Sequence, residues 1–161
     1  MHQTAQLLRH TIQESHPKLL AISAEQANKK PFTDKWSLQE IIGHLIDSAA
    51  NNHQRFVRMQ QVTDLGKFGY DQIHWVNSQH YRSANWEELV QLWYYYNLHL
   101  SHVIANLNET ALTHTCDMGY DTPKDLRFVA EDYVKHLQHH LNQIFDDTDP
   151  LRRRVWGKLQ E

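Results

Sequence analysis

The sequence has 161 residues, of which 40% are hydrophobic and 22% charged, a balance typical of one globular domain with its own core. The formal net charge of −3 argues against a nucleic-acid-binding protein, which usually carries an excess of basic residues. The single cysteine, Cys116, excludes an internal disulfide, and no apolar run has the length of a signal peptide or a membrane span. We therefore expect one domain over residues 1–161, located in the cytoplasm, with neither a nucleic-acid nor a membrane partner.

Two helices are predicted in the first part of the chain. The first covers residues 4–22, with apolar residues at helical spacing and with Pro17 inside it, where we expect a kink. The second begins at Ser37, because a serine followed three residues later by Glu40 forms a capping box, in which each side chain accepts a hydrogen bond from the other residue's amide. This helix is expected to continue to about Gln60.

Two further helices are predicted after a long connection, which itself contains a possible short helix at residues 71–80. The third helix starts with Asn85 as its N-cap and carries a broad apolar face. The fourth has Thr122 as its N-cap and Pro123 at its first helical position, and it ends near Phe145.

The overall pattern is that of an all-α four-helix bundle with long connections after the second and third helices. Glycine and proline, which interrupt helices, number only five and four, and no segment alternates convincingly like a strand. The basic run Arg152-Arg153-Arg154 near the end of the chain is interpreted as a solvated tail.

The fourth helix contains the most informative of the thirteen histidines. His136 and His140 are four residues apart, so they lie on one face of the helix and can share a metal ion. On a helical wheel both lie toward the apolar stripe, whereas His139 lies on the opposite face and should be solvated. The spacing therefore predicts a metal-binding pair, and an ordinary pair of histidines at the edge of the core is the alternative interpretation.

A third histidine ligand would have to come from another helix. The second helix offers His44 and His53, and the wheel places His53 close to the apolar stripe and His44 well away from it. Geometry alone therefore favours His53, although a histidine on an apolar face is more often a hydrogen-bonded core residue. His99 and His102, in the third helix, are further candidates, so the residues by themselves leave the third ligand open.

Three segments of the sequence resemble the DinB-like superfamily, and in particular its YfiT-type group of metal-dependent hydrolases. They are residues 36–48 (WSLQEIIGHLIDS), residues 52–56 (NHQRF) and residues 136–144 (HLQHHLNQI). The resemblance implies a bundle with an up-down-down-up path and one divalent metal ion, zinc or nickel, held by His44, His136 and His140. Some members carry a further histidine where this chain has Gln143 or Ala49.

Three neutral imidazoles leave coordination positions free for water or substrate, as in catalytic metal sites. Such a site can activate water for hydrolysis or hold a thiol as the nucleophilic thiolate. Asp47, three residues after His44, is a candidate either to orient a ligand or to cap surface charge. No other catalytic residue is assigned.

Three functions are compatible with these ligands. The resemblance suggests a hydrolase of a small amide or ester. Other members of the superfamily conjugate low-molecular-weight thiols to electrophiles, so a thiol S-transferase is the second hypothesis, and a non-enzymatic metal- or ligand-binding module is the third. The expected partner is a small-molecule substrate. The oligomeric state is left open by the sequence; the aromatic third helix would suit a homodimer face, and dimers occur in the family.

Overall fold

The computed structural model describes residues 1–146, in which four long helices form a bundle. In chain order the helices are α1 (His2–Leu20), α2 (Ala24–Asn28), α3 (Leu38–Arg58), α4 (Gln72–Ser78), α5 (Trp86–Ala105) and α6 (Leu126–Phe145). Two 3-10 helices, Tyr81–Ser83 and Glu109–Thr113, lie in the connections. Both α1 and α3 pack against α5 and α6, so α1 and α3 occupy opposite corners of the bundle. The expected four-helix bundle is therefore confirmed.

The predicted starts of the second and third long helices are confirmed. At the start of α3, Ser37 Oγ accepts a hydrogen bond from the Glu40 amide (3.2 Å), and Glu40 Oε2 accepts one from the Ser37 amide (2.8 Å). At the start of α5, Asn85 Oδ1 accepts a hydrogen bond from the Glu88 amide (3.1 Å). Each cap satisfies amides that have no partner within the helix itself.

The predicted start of the fourth long helix is wrong. Asp125, not Thr122, is the N-cap of α6, and its Oδ1 accepts a hydrogen bond from the Phe128 amide at 2.7 Å. Residues 124–125 are extended because they pair with another strand, so the helix cannot begin at Pro123. The predicted end of the helix, near Phe145, is confirmed.

A small sheet, which the sequence did not predict, joins the two long connections. It consists of β1 (Asp64–Lys67), β2 (Thr115–Asp117) and β3 (Lys124–Asp125), with β2 in the middle. β1 pairs in parallel with β2, and β3 pairs antiparallel with it. Strands of two to four residues are too short to show a clear alternation of apolar and polar residues. The sheet lies where α3 ends and α6 begins, so it links the ends of these two helices.

The first half of α3 is buried on every side. All residues from 38 to 49 are buried, because α4 and the 3-10 helix Tyr81–Ser83 cover the face of α3 that points away from the bundle. Gly43 lies at this contact, and a Cβ atom there would stand only 2.2 Å from Tyr81 Cδ2. The tyrosine ring therefore packs directly on the helix backbone beside His44.

Within the described residues no helix combines the length and the hydrophobicity needed to cross a membrane.

Candidate metal centre

Three histidines converge where α3 packs against α6. His136 Nε2 lies 3.2 Å from His44 Nε2 and 3.2 Å from His140 Nε2. One ring nitrogen of each residue lies within 4.8 Å of those of the other two, and no second group of three or more possible metal ligands is present in residues 1–146. The structure therefore brings together the three residues that the resemblance implied, one from α3 and two from successive turns of α6.

The surroundings keep all three imidazoles neutral. His44 is only 1% exposed, and burial, reinforced by repulsion from His140 and His136, lowers its pKa to about 3. Burial also lowers the pKa of His136 to about 4, and it lowers that of His140 although a hydrogen bond to Gln143 opposes the shift. A neutral imidazole has one nitrogen with a free lone pair, which is the form that binds a metal ion. The cluster therefore fits a divalent metal by its chemistry as well as by its geometry.

Gln143 fixes the orientation of one of these imidazoles. Its Oε1 lies 2.9 Å from His140 Nδ1. An amide oxygen only accepts hydrogen bonds, so Nδ1 carries the imidazole proton and is the donor. The lone pair is then on Nε2, which faces the cluster. The Gln143 amide nitrogen lies 2.9 Å from His139 Nε2, and His139 is exposed, as predicted. From the sequence, Gln143 stands out only because some family members carry a histidine at its position. Its spacing of three residues from His140 places it on the same face of α6 and could have indicated this contact.

The other nitrogen of His44 has no such partner. His44 Nδ1 is buried without a hydrogen bond to any described residue, and the Trp36 ring lies tilted against the imidazole with 5.0 Å between ring centroids. Packing by Trp36, and not a hydrogen bond to a carboxylate, therefore holds this ring.

Asp47 holds a neighbouring segment instead of a histidine. Its Oδ1 accepts hydrogen bonds from Tyr81 OH and from Gln79 Nε2, both at 2.6 Å, and no hydrogen bond within residues 1–146 joins it to the cluster. Asp47 is 1% exposed, so it does not cap surface charge, and burial raises the pKa of its carboxyl. Asp47 therefore anchors the residues after α4 to α3.

The remaining candidate histidines lie elsewhere. His53 Nδ1 is 3.1 Å from Tyr96 OH, and the His53 ring meets the ring of His99 edge-on. His102 lies beside Asn106 near the end of α5. The structure thus brings His44, and not the wheel-based choice His53, to the pair on α6. The helical wheel gave the wrong residue because it assumes one buried face, whereas α3 is covered on both faces at His44.

Two cavities meet at the cluster. An outer cleft of about 870 Å³ reaches His140 and is lined in part by Lys30, Lys35, Trp36 and Ile73. A smaller, inner cavity of about 250 Å³ reaches His44 and His136. Gln72 lines both, so the first residue of α4 stands between them. A small molecule can therefore approach the imidazoles from either cavity.

Comparison with known proteins identifies the family. Residues 5–144 match the family model of the DinB superfamily. Among solved structures, YfiT from Bacillus subtilis, described as a probable metal-dependent hydrolase with an unusual four-helix bundle topology, is similar with a TM-score of 0.80. The similarity covers 94% of this chain and 85% of that one at 18% identity, and it concerns the fold. No curated protein matches the sequence significantly. Because the family match covers most of the chain, this protein belongs to the DinB superfamily.

Proposed function

We propose that the protein binds one divalent metal ion through the Nε2 atoms of His44, His136 and His140. The proposal is supported by the convergence of three neutral imidazoles in a site where their protonation is strongly disfavoured. Nitrogen ligands of this kind suit zinc and nickel, and three protein ligands leave positions for a substrate.

We propose that this site hydrolyses a small amide or ester. The observation that carries the proposal is that the three imidazoles converge at the junction of two cavities, so that a substrate can lie directly beside them. A divalent metal in this position supplies Lewis acidity, which polarises a carbonyl and activates water. Trp36 and Ile41 provide the apolar wall of the outer cleft next to His140. Gln143 keeps Nε2 of His140 directed at the other two imidazoles, where it would bind the metal ion.

A thiol S-transferase is the second candidate. A transferase binds two substrates next to each other, and two cavities that reach the same cluster leave room for both. The partner would be a low-molecular-weight thiol, and the same Lewis acidity would hold it as a thiolate.

We also make proposals for the location, the helix path and the oligomeric state of the protein. We propose a cytoplasmic enzyme without a nucleic-acid or membrane partner, which the net charge of −3 suits. We also propose that the four long helices follow the up-down-down-up path. The outward face of α5 exposes 52% of Leu92 and 63% of Tyr95, which supports a homodimer formed through this helix.

The metal site is tested by measuring the metal content of the purified full chain by plasma mass spectrometry. We expect one divalent ion per chain, and we expect His136→Ala and His140→Ala to lose it while keeping their helical circular dichroism. His53→Ala is the matched control, since it removes another histidine of α3 that lies outside the cluster, and it should retain the metal. Unchanged metal content in both α6 variants would disprove the site.

The reaction is tested with panels of small amides, esters and haloarenes. A hydrolase should convert amides or esters without added thiol, and removal of the metal by a chelator should abolish the turnover. Consumption of a haloarene only in the presence of a thiol would establish the transferase instead. Stoichiometric metal binding with no turnover in either panel would leave a binding module and reject both reactions.

A further inference from the structure

The inner cavity is lined along one side by a polar stripe of α3. His44, Ser48, Asn52 and Arg55 follow one another at intervals of three or four residues and therefore lie on one face of the helix. The cavity begins at the histidine cluster and extends along this stripe toward the end of α3. Arg55 is thus the residue of the stripe farthest along the helix from the imidazoles.

Arg55 is a buried cation that no carboxylate neutralises. It is 6% exposed, its Nε and Nη2 donate to the Phe68 carbonyl oxygen (3.2 and 2.7 Å), and its Nη1 donates to Asn52 Oδ1 (3.0 Å). Lys30 pairs with Glu40, whereas Arg55 has no carboxylate within 4.0 Å among residues 1–146. Burying a charge without an opposite one is costly, although neutral acceptors recover part of the cost. A fourth donor faces the Cys116 thiol, with which the guanidinium is hydrogen-bonded, so one of its five N–H groups remains for a ligand.

The other ionisable groups around Arg55 do not supply the missing charge. Burial raises the pKa of the Cys116 thiol beside the guanidinium, and it raises the pKa of Tyr70 to about 12, so both groups are neutral. The one carboxylate that lines the cavity, Asp132, accepts a hydrogen bond from Tyr120 OH at 3.1 Å and stands more than 4.0 Å from the guanidinium. The cavity therefore contains a cation with a free donor and a separate carboxylate that bonds to Tyr120.

We propose that the substrate carries a carboxylate that pairs with Arg55 in the inner cavity, while its reacting group lies at the histidine cluster. The assignment rests on the proposed function for the position of the reacting group. A charge-assisted hydrogen bond from a guanidinium to a carboxylate is about twice as strong as a neutral one, and it is strongest where water is excluded. The negative charge of Asp132 in the same cavity disfavours a doubly charged group such as a phosphate dianion, so the ligand is a single carboxylate.

The experiment compares N-acetylglycine with its neutral analogue N-acetylglycinamide, which has the same shape without the charge. Both are titrated into the ¹⁵N-labelled full chain, metal-loaded and after metal removal, and binding is followed by NMR. We expect the acid to bind at least about tenfold more tightly than the amide in both forms, and to shift the Arg55 Nε–H resonance. The metal-free measurement excludes direct coordination of the carboxylate as the source of the preference.

Variants of two arginines on α3 complete the test. Arg55→Gln should abolish the preference, and Arg55→Lys should keep part of it because the charge remains. Arg58→Gln is the matched control, since it removes the same charge from the exposed arginine one turn later, which lies over the Phe68 ring, and it should change nothing.

Two results would overturn the inference. One is an equal affinity of the wild-type chain for acid and amide, and the other is a preference that survives in folded Arg55→Gln. The Nε–H resonance decides the question in the wild-type chain even if the variants do not fold. A chain that binds no metal but still prefers the acid would refute the proposed metal site and leave the anion site standing.

Discussion

The neighbours of each imidazole determine how readily it takes up a proton. Around His44, His136 and His140 the nearest ionisable groups are other histidines and not carboxylates, so no opposite charge stabilises a protonated ring; the hydrogen bond of His140 to Gln143 acts in the other direction, but burial outweighs it. Because protonation is costly, the pKa of His44 is about 3 and that of His136 is about 4. Protons therefore compete weakly with a metal ion for these nitrogens even in mildly acidic solution.

The same low pKa values predict how the metal-free protein responds to pH. In the unfolded chain a histidine has a pKa of about 6.5, so between pH 6.5 and about 4 the unfolded state binds more protons than the folded state. The free energy of unfolding should therefore fall as the pH is lowered through this range. The check is chemical denaturation of the metal-free protein at a series of pH values.

Two variants separate the cluster from the other titrating groups. His136→Asn should reduce the slope of stability against pH, because one depressed pKa is removed. Asn142→Gln, which alters an exposed side chain of α6 that does not titrate, should leave the slope as it is. Identical slopes for His136→Asn and the wild-type chain would contradict the pKa assignment.

At the scale of the helix, the start of α6 is set by the tertiary structure. Thr122 and Pro123 form a good local start signal, yet the chain stays extended until Asp125 because Cys116 pairs with Lys124 in the sheet. Asp125 then caps the helix with a short hydrogen bond to the Phe128 amide. The first turn of α6 is thereby fixed to the sheet, and the histidines follow three turns later.

A pair of alanine variants distinguishes the two possible caps. Asp125→Ala should lower the free energy of unfolding by about 1 kcal/mol, because an amide of the first turn loses its acceptor. Thr122→Ala should change it by less than about 0.5 kcal/mol, as is usual for an exposed site that caps nothing. Urea denaturation measures both, and a larger loss for the threonine variant would reinstate the cap predicted from the sequence.

At this scale the sequence predicts correctly those features that depend on contacts between residues close in the chain. The caps at Ser37 and Asn85 involve residues three positions apart, so local pattern is sufficient. The pair His136 and His140 also follows from helical spacing. The choice between His44 and His53 does not, because the wheel assumes that a helix has one buried face, whereas α4 covers a second face of α3. His44 was identified only by the family resemblance. The three strands could not be predicted, because they are too short to show an alternation of apolar and polar residues.

At the scale of the whole molecule, α3 and α6 are joined near both ends. The sheet connects the end of α3 to the start of α6, and the histidine cluster joins the first half of α3 to the second half of α6. A metal ion at the cluster would therefore act as a cross-link between the two helices, at the end of their interface away from the sheet.

Metal loading should consequently raise the thermal stability of the protein. An ion present at about 100 times its Kd stabilises the folded state by about 2.7 kcal/mol, which for a chain of this size corresponds to about 5–10 °C in Tm. Differential scanning calorimetry with and without a chelator measures the shift. In His140→Ala the chelator should have little effect, and an equal shift in that variant would show that the ion acts at another place.

The contact of Gly43 with the Tyr81 ring has a consequence for how this chain can vary. A methyl group at position 43 would overlap the ring, and a smaller residue at position 81 would relieve the overlap but remove the hydroxyl that donates to Asp47. The two positions can therefore change only together. A larger residue at position 43 of α3 requires a smaller residue at position 81, in the 3-10 helix that covers it. Among related sequences, glycine before the α3 histidine should accompany an aromatic residue at the position of Tyr81, and the two should be lost together.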